Sequence, residues 1–255
     1  MVGIHEIWTA TTIILGLSNG EQKSTATGFF FSIDGKTVYL TTNKHLIYGE
    51  EFNKNPSPRI NQIKLNLHKN AQDLSQNEKV TIDLFNGGNK KWLEHLNPSV
   101  DLVLIPVNLD RTKYVFLAID KSYLNSENIL IYFEKIFVMG YPLGWYDTVN
   151  NLPITRVGNL SSPFGVPFRG EPYMLGDVET HPGMSGGPVL MDLQDYTVRQ
   201  EDGSLLSYPG RRKFLLVGIY SGQAKLPNTE TRPNLIAIWF PELVLQIIEA
   251  ESKKT

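Results

Sequence analysis

Short runs rich in Val, Ile, Thr, Phe and Tyr recur along the chain between clusters of Gly, Pro, Asn and Asp, and apolar positions at helical spacing are scarce. That alternation of strand formers and turn formers is the spacing of an all-β sandwich or barrel. It predicts strands over Ile7–Leu15, Thr27–Ile33, Val38–Thr42, Ile60–Leu67, Val80–Leu84, Val100–Val107, Lys135–Met139, Leu152–Leu160, Met174–Val178, Pro188–Met191, Phe214–Tyr220 and Leu235–Trp239. Asp34-Gly35 between two of these signals a tight hairpin. The stretch Glu50–Pro98, rich in Asn and Lys, reads as long loops around one or two strands. Asp192–Lys213 has a polar, charged centre, and its closing Arg211-Arg212-Lys213 reads as a solvated loop. After Pro241, Leu243, Ile247 and Ile248 fall at helical spacing and predict a short helix over Glu242–Glu249 packed on a barrel.

Length and composition narrow the possibilities. A chain of 255 residues can bury the core of one large domain or of two small ones packed together, and 41% hydrophobic with 20% charged residues is ordinary globular composition. With 24 basic and 26 acidic residues, the net charge of −2 provides no broad pull toward nucleic acid or an anionic membrane, so neither is expected as a partner. The absence of cysteine excludes disulfides, thiolate catalysis and cysteine-based zinc sites, and suits a reducing compartment. No run approaches the ~18 apolar residues of a membrane span, and Ile7–Leu17 lacks a basic segment before it. The expected location is the cytoplasm, or a secreted or periplasmic one if a signal has been removed. His5, His68 and His95 show no metal spacing and read as surface residues, so no metal or cofactor is expected. Trp8, Trp92, Trp145 and Trp239 read as core or interface aromatics.

The sharpest chemical feature is Pro182-Gly183-Met184-Ser185-Gly186-Gly187-Pro188. Its glycines let the backbone turn N–H groups toward one point, as an oxyanion hole requires, with Gly183 and Ser185 as the donors. A serine hydroxyl is a poor nucleophile near neutral pH and needs a base, which in turn needs a partner to fix its tautomer. His45 follows the apolar strand in Val38-Tyr39-Leu40-Thr41-Thr42-Asn43-Lys44-His45. Asp101 stands directly ahead of Leu102-Val103-Leu104-Ile105-Pro106, as a strand-start cap or as a buried acceptor. Each alone has an ordinary structural explanation; the order His, Asp, Ser is far more specific.

These segments resemble the three catalytic segments of the chymotrypsin-like serine peptidases, and especially their bacterial Deg/Htr branch. The likeness extends to Thr27-Gly28-Phe29, to Val138-Met139-Gly140-Tyr141-Pro142-Leu143-Gly144, to Ile154–Ser161 and to Gly218-Ile219-Tyr220-Ser221-Gly222, which is similar to the strand that pairs with an extended substrate. The resemblance implies a single peptidase unit over 1–255 built of two six-stranded antiparallel β-barrels. The first would cover about 1–115 with His45 and Asp101, the second about 130–240 with Ser185, and a short helix would close the chain over 241–255. It implies a serine endopeptidase in which His45 is the base, Asp101 its orienter and Ser185 the nucleophile, acting on a protein or peptide substrate through an acyl-enzyme.

Departures from the family refine that expectation. Met184 occupies the position of the aspartate that pairs with a newly cut amino terminus in zymogen-derived members, so no zymogen cleavage is expected. No room is expected after the peptidase unit for a peptide-binding PDZ domain. The family's primary specificity pocket points to Glu179, Thr180 and Tyr220 to Gln223 as substrate-binding residues, with Ser221 and Gly222 on the pairing strand. Glu179 would select a basic side chain, unless it is a surface carboxylate; Tyr220 would instead narrow the pocket. His181 reads as a loop histidine with a backbone hydrogen bond. The alternative function is a silent or conditionally active module that binds a peptide or an activating protein partner, with Asp192–Lys213 or Asn150–Arg169 holding the oxyanion hole poorly formed until something binds. Esterase activity ranks last, because an open strand edge suits an extended peptide.

Overall fold

The computed structural model describes residues 5–124, 128–131, 134–224 and 234–254. Ile7–Ala10 belong to a 3₁₀ turn, Glu6–Ala10, and not to the first strand. Local bonds hold that turn, because His5 Nδ1 accepts from Ile7 N and Thr9 Oγ1 donates to Glu6 O. The chain then forms β1 (Thr11–Ser18), β2 (Glu21–Ser32), β3 (Val38–Thr42), the one-turn helix α1 (His45–Tyr48), β4 (Gln62–His68), β5 (Asn77–Asp83), a small hairpin of β6 (Phe85–Asn86) and β7 (Asn89–Lys90), β8 (Leu93–Glu94) and β9 (Val103–Val107). The second half carries β10 (Lys135–Gly140), β11 (Ile154–Leu160), β12 (Tyr173–Asp177), β13 (Pro188–Gln194), β14 (Thr197–Arg199), β15 (Leu205–Ser207), β16 (Arg212–Gln223), β17 (Ile236–Trp239) and α2 (Glu242–Ser252).

The second half closes into a six-stranded barrel in the order β10-β11-β12-β17-β16-β13. The first half departs from the expected six-stranded barrel: it is a seven-stranded sheet, β5-β4-β1-β2-β3-β9-β8, whose ladder stays open. One edge is the two-residue β8, and among the described residues an isolated bridge between His68 and Val115 links the segment after β9 back to β4. The segment Asp192–Lys213 is also more ordered than a loop, since β13 and β16 extend into a hairpin with β14 and β15 at its tip. Arg212 there forks onto the Asp192 carboxylate through Nε and Nη2, both at 2.6 Å.

Alternation along the strands assigns each side chain to a core. In β2, Ala26 and Phe30 point into the first sheet's interior, while Phe29 and Phe31 point to the seam between the two halves. In β9, Val103, Ile105 and Val107 face inward, and Leu104 joins the seam beside Leu102. These strands read as continuous apolar runs because both faces are buried. The seam also takes Met139, Leu190 and Leu216 from the barrel and Leu243, Val244, Ile247 and Ile248 from α2. Among the described residues no helix is long and apolar enough to cross a membrane.

Two groups lie deeper than their sequence suggests. His68 is buried, not at the surface, because the 147–151 loop covers the end of β4 and its Asn150 carbonyl accepts a hydrogen bond from Nε2 at 2.8 Å. Burial lowers its pKa below the ordinary value. Glu94 sits beneath α1, where its carboxylate accepts from Tyr48 Oη at 2.6 Å, Trp92 Nε1 at 2.7 Å and Lys90 Nζ at 3.0 Å, with Lys44 Nζ at 3.2 Å. Burial pushes this carboxyl up, but those donors and the Lys44 charge outweigh it and hold the pKa down at about 2. A carboxyl depressed in the folded state contributes stability that is complete above its unfolded value of 4.5 and is lost as pH falls toward 2. Denaturant unfolding midpoints should therefore fall between pH 4.5 and 2, and this step should shrink in Glu94→Gln, which is less stable than the parent at pH 7.

Candidate active site

The site lies in a cleft of about 880 Å³ where the two halves meet, lined from the first by His45, Asp101 and Thr25 and from the second by Gly183, Ser185 and Tyr220. β3 ends at Thr42, and Asn43 turns the chain into α1 with His45 at its first position. Asn43 is buried, and its Nδ2 donates to the Asp101 carbonyl at 2.7 Å, so the histidine and aspartate segments are tied through backbone. Asp101 is 5% exposed. Its Oδ1 accepts from His45 N at 2.9 Å; its Oδ2 accepts from His45 Nδ1 at 2.7 Å and from Ser221 Oγ at 2.7 Å. A buried carboxylate persists only when its lone pairs are met in this way.

This arrangement decides the state of the imidazole. A carboxylate only accepts, so His45 carries its proton on Nδ1, and the lone pair of the neutral ring falls on Nε2. Ser185 lies in the same cleft, partly exposed.

The loop before Ser185 is built from backbone constraints. Met184 N donates to His181 O at 3.2 Å across Pro182 and Gly183, and Gly183 has φ +95°, the signature of a type II turn. Only glycine suits this position: a Cβ here would lie 2.4 Å from Tyr141 O. Pro182 O accepts from Leu143 N at 2.6 Å, and every described peptide is trans, so the Gly183 N–H points away from the Leu143 turn. Neither Gly183 N nor Ser185 N has an acceptor among the described residues. Leu143 reaches this bond from a left-handed conformation, φ +54°.

Thr27 of β2 clamps the same loop from the opposite half. Its N donates to Ser185 O at 2.9 Å, its Oγ1 donates to Gly183 O at 2.8 Å and accepts from Tyr141 N at 3.1 Å, and its O accepts from Thr42 Oγ1 at 2.8 Å. Thr27, Asn43 and the Ser221–Asp101 bond are the contributions that sequence reasoning missed. Each residue stands in a segment already singled out, but no local pattern announces a hydroxyl or amide bonding to a distant segment.

The predicted substrate-binding residues divide. Thr180, Tyr220, Ser221, Gly222 and Gln223 line the cleft, and the buried Tyr220 hydroxyl meets Thr180 Oγ1 at 2.8 Å. Tyr220 is fixed directly behind the Ser185 loop, because its O accepts from Gly186 N and its N donates to Gly187 O. Glu179 is not among the lining residues: its side chain is 75% exposed, with Arg156 Nη1 at 3.5 Å and His181 Nε2 at 3.7 Å. Of the tryptophans, Trp92 and Trp239 are buried, Trp239 lines the cleft, and Trp145 is 75% exposed.

The family model of the trypsin-like peptidase domain matches residues 26–198, more than half of the chain. No curated protein sequence matches significantly. Among solved structures, the serine endoprotease from Yersinia pestis is similar over 96% of this chain with a TM-score of 0.51 and 16% identity, and the chain spans 63% of that protein's length. The Rv3671c protease from M. tuberculosis in its active form is similar over 95% of this chain and 81% of its own, with a TM-score of 0.51 and 16% identity. At such identities the structural likeness speaks for the fold, and the domain match speaks for descent: the chain belongs to the trypsin-like peptidase domain family.

Proposed function

We propose that the protein is a serine endopeptidase in which Ser185 attacks the peptide carbonyl, His45 is general base and then acid, and Asp101 orients and stabilises the imidazolium. The observation that carries this reading is the His45 Nδ1–Asp101 Oδ2 bond of 2.7 Å, which leaves Nε2 as the ring's basic nitrogen in the cleft that holds Ser185. In the first step the Ser185 Oγ–H proton passes to His45 Nε2 as Oγ bonds to the carbonyl carbon. The carbonyl π electrons become an oxyanion, for which the unengaged N–H groups of Gly183 and Ser185 are the donors. The intermediate collapses, the C–N bond breaks, and the amine departs with the proton from His45. Water, deprotonated by the same nitrogen, then hydrolyses the acyl-enzyme.

The pinned Pro182–Gly183 peptide favours an enzyme whose oxyanion donors are arranged without a zymogen cut. It argues against a loop that stays poorly formed until a partner binds. Around the acyl side, the edge Ser221–Gly222 has β17 on one side and no described strand on the other, so an extended peptide can add there. Tyr220 and Thr180 close the space beside Ser185, which favours a small aliphatic residue before the scissile bond. Glu179 is occupied by Arg156 and His181 outside the cleft lining, which disfavours selection of a basic one.

Fluorophosphonate labelling and casein cleavage should both occur in the parent and be lost in Ser185→Ala, and Asp101→Asn should lower kcat by about 10⁴-fold with little loss of fold. Failure of the parent to label would defeat the peptidase reading. In a peptide library, the parent should prefer Ala or Val before the cut and Tyr220→Val should shift the preference to larger side chains; a parent preference for Lys or Arg would return Glu179 to the pocket. Thr27→Val removes the hydroxyl shared by Gly183 O and Tyr141 N, and should destabilise the fold by about 1–3 kcal/mol and slow labelling of the fraction that remains folded.

A further inference from the structure

A second pocket, of about 290 Å³, opens beside the cleft and shares Thr25 with it. Its floor is Ile13, Leu15 and Asn66, its wall is the Leu143–Tyr146 turn, and Lys64 and Lys79 stand on its rim. Register places these residues on one face of the sheet. Thr25 lies opposite Leu15, Leu15 opposite Lys64, and Asn66, two residues after Lys64, opposite Lys79. Neither lysine pairs with a carboxylate among the described residues. The carboxylates nearby are already engaged, Asp83 by Gln62 Nε2 and Asp147 by Val149 N, Asn150 N and Asn150 Nδ2. Asn66 is buried, and its Oδ1 has no hydrogen-bond partner.

The pocket's position relative to the reacting atoms gives it a role. A peptide paired on Ser221–Gly222 occupies the acyl side of Ser185, so its continuation leaves on the opposite side, past Gly183 and Thr25. A Cβ on Gly183 would come within 3.3 Å of Leu143 N and 3.4 Å of Gly144 N, so the second pocket begins where the oxyanion turn ends. Strands in a sheet are about 4.8 Å apart, which puts Lys64 about 10 Å from Thr25 across β1, and an extended chain covers that in about three residues at ~3.3 Å each.

We propose that this pocket receives the substrate segment that follows the scissile bond and that Lys64 and Lys79 select an acidic side chain at about the third residue after it. The inference rests on the peptidase reading above. The apolar floor and the exposed Leu143 hold the peptide's aliphatic atoms, while the two ammonium groups at the rim meet a carboxylate.

The test uses the full chain and three peptides identical except for Glu, Gln or Lys at the third residue after the cut, with rates normalised to the fraction of sites titrated by fluorophosphonate. The parent should cleave the Glu peptide about five- to tenfold faster in kcat/KM than the Lys peptide, the size expected of two partly exposed ion pairs, and added salt should compress the difference. The K64E/K79E variant should invert the order. Equal rates for the three peptides, or a Glu preference that survives the charge reversal, overturn the inference while leaving the labelled peptidase intact. A parent that titrates no site overturns the peptidase reading and this inference with it.

Discussion

One buried carboxylate organises the molecule. Asp101 is taken out of water at the junction of the two halves, and its charge is tolerable only because donors converge on it from both sides, His45 through its backbone and ring, and Ser221 through its hydroxyl. Removing any of these donors leaves a charge short of hydrogen bonds in a poorly solvated place. The requirement that makes the fold specific therefore also fixes the tautomer of His45 and aims its ring at the cleft. Lys44, the residue before His45, is anchored from beneath by the Glu94 cluster, so α1 is held at both its faces.

The loop that carries Ser185 is governed by a different constraint: close approach of backbones. Gly186 has φ +87°, and a Cβ there would lie 2.3 Å from Thr27 O, so the loop is pressed against β2 at the distance that permits the Thr27 bonds. Main-chain atoms do most of the holding. A loop fixed by its own peptides holds the Gly183 and Ser185 N–H groups, which have no acceptor among the described residues, in place at no cost in side-chain entropy.

What the sequence disclosed follows from these two constraints. Val38–Thr42 appears as a strand with the bounds read from its pattern, because five strand formers in a row, four of them buried, leave little ambiguity. The Gly183–Gly187 run was conspicuous because positive φ and close packing demand glycine, and that demand is local. Ile7–Ala10 looked like strand because its residues are β-formers, yet side-chain bonds from His5 and Thr9 turned it into a 3₁₀ segment. His68 looked like a surface residue because the loop that buries it lies about eighty positions away. The open first sheet was equally hidden, since closure depends on how far β8 extends, and a two-residue strand leaves little pattern. Glu179 and Tyr220 show the same limit at the site: sequence placed both at the pocket, and only packing separates the exposed carboxylate from the buried phenol.

Burial of the seam keeps the scattered parts in register. Each site segment lies on or next to a strand whose apolar positions fill the seam: Thr27 precedes Phe29 and Phe31 on β2, Asp101 precedes Leu102 and Leu104, Met139 leads into the turn that carries Leu143, and Ser185 is followed by Leu190 on β13. A slip of one residue in any of these strands would turn its seam-facing side chains to the other face and expose them or crowd the neighbouring core. The burial of that seam, which involves no chemistry, thus excludes the registers in which the site would fall apart. Stability and site geometry are in this way the same property of the strands, and α2, packed through Leu243, Val244, Ile247 and Ile248 on the seam, contributes to the cleft without touching it.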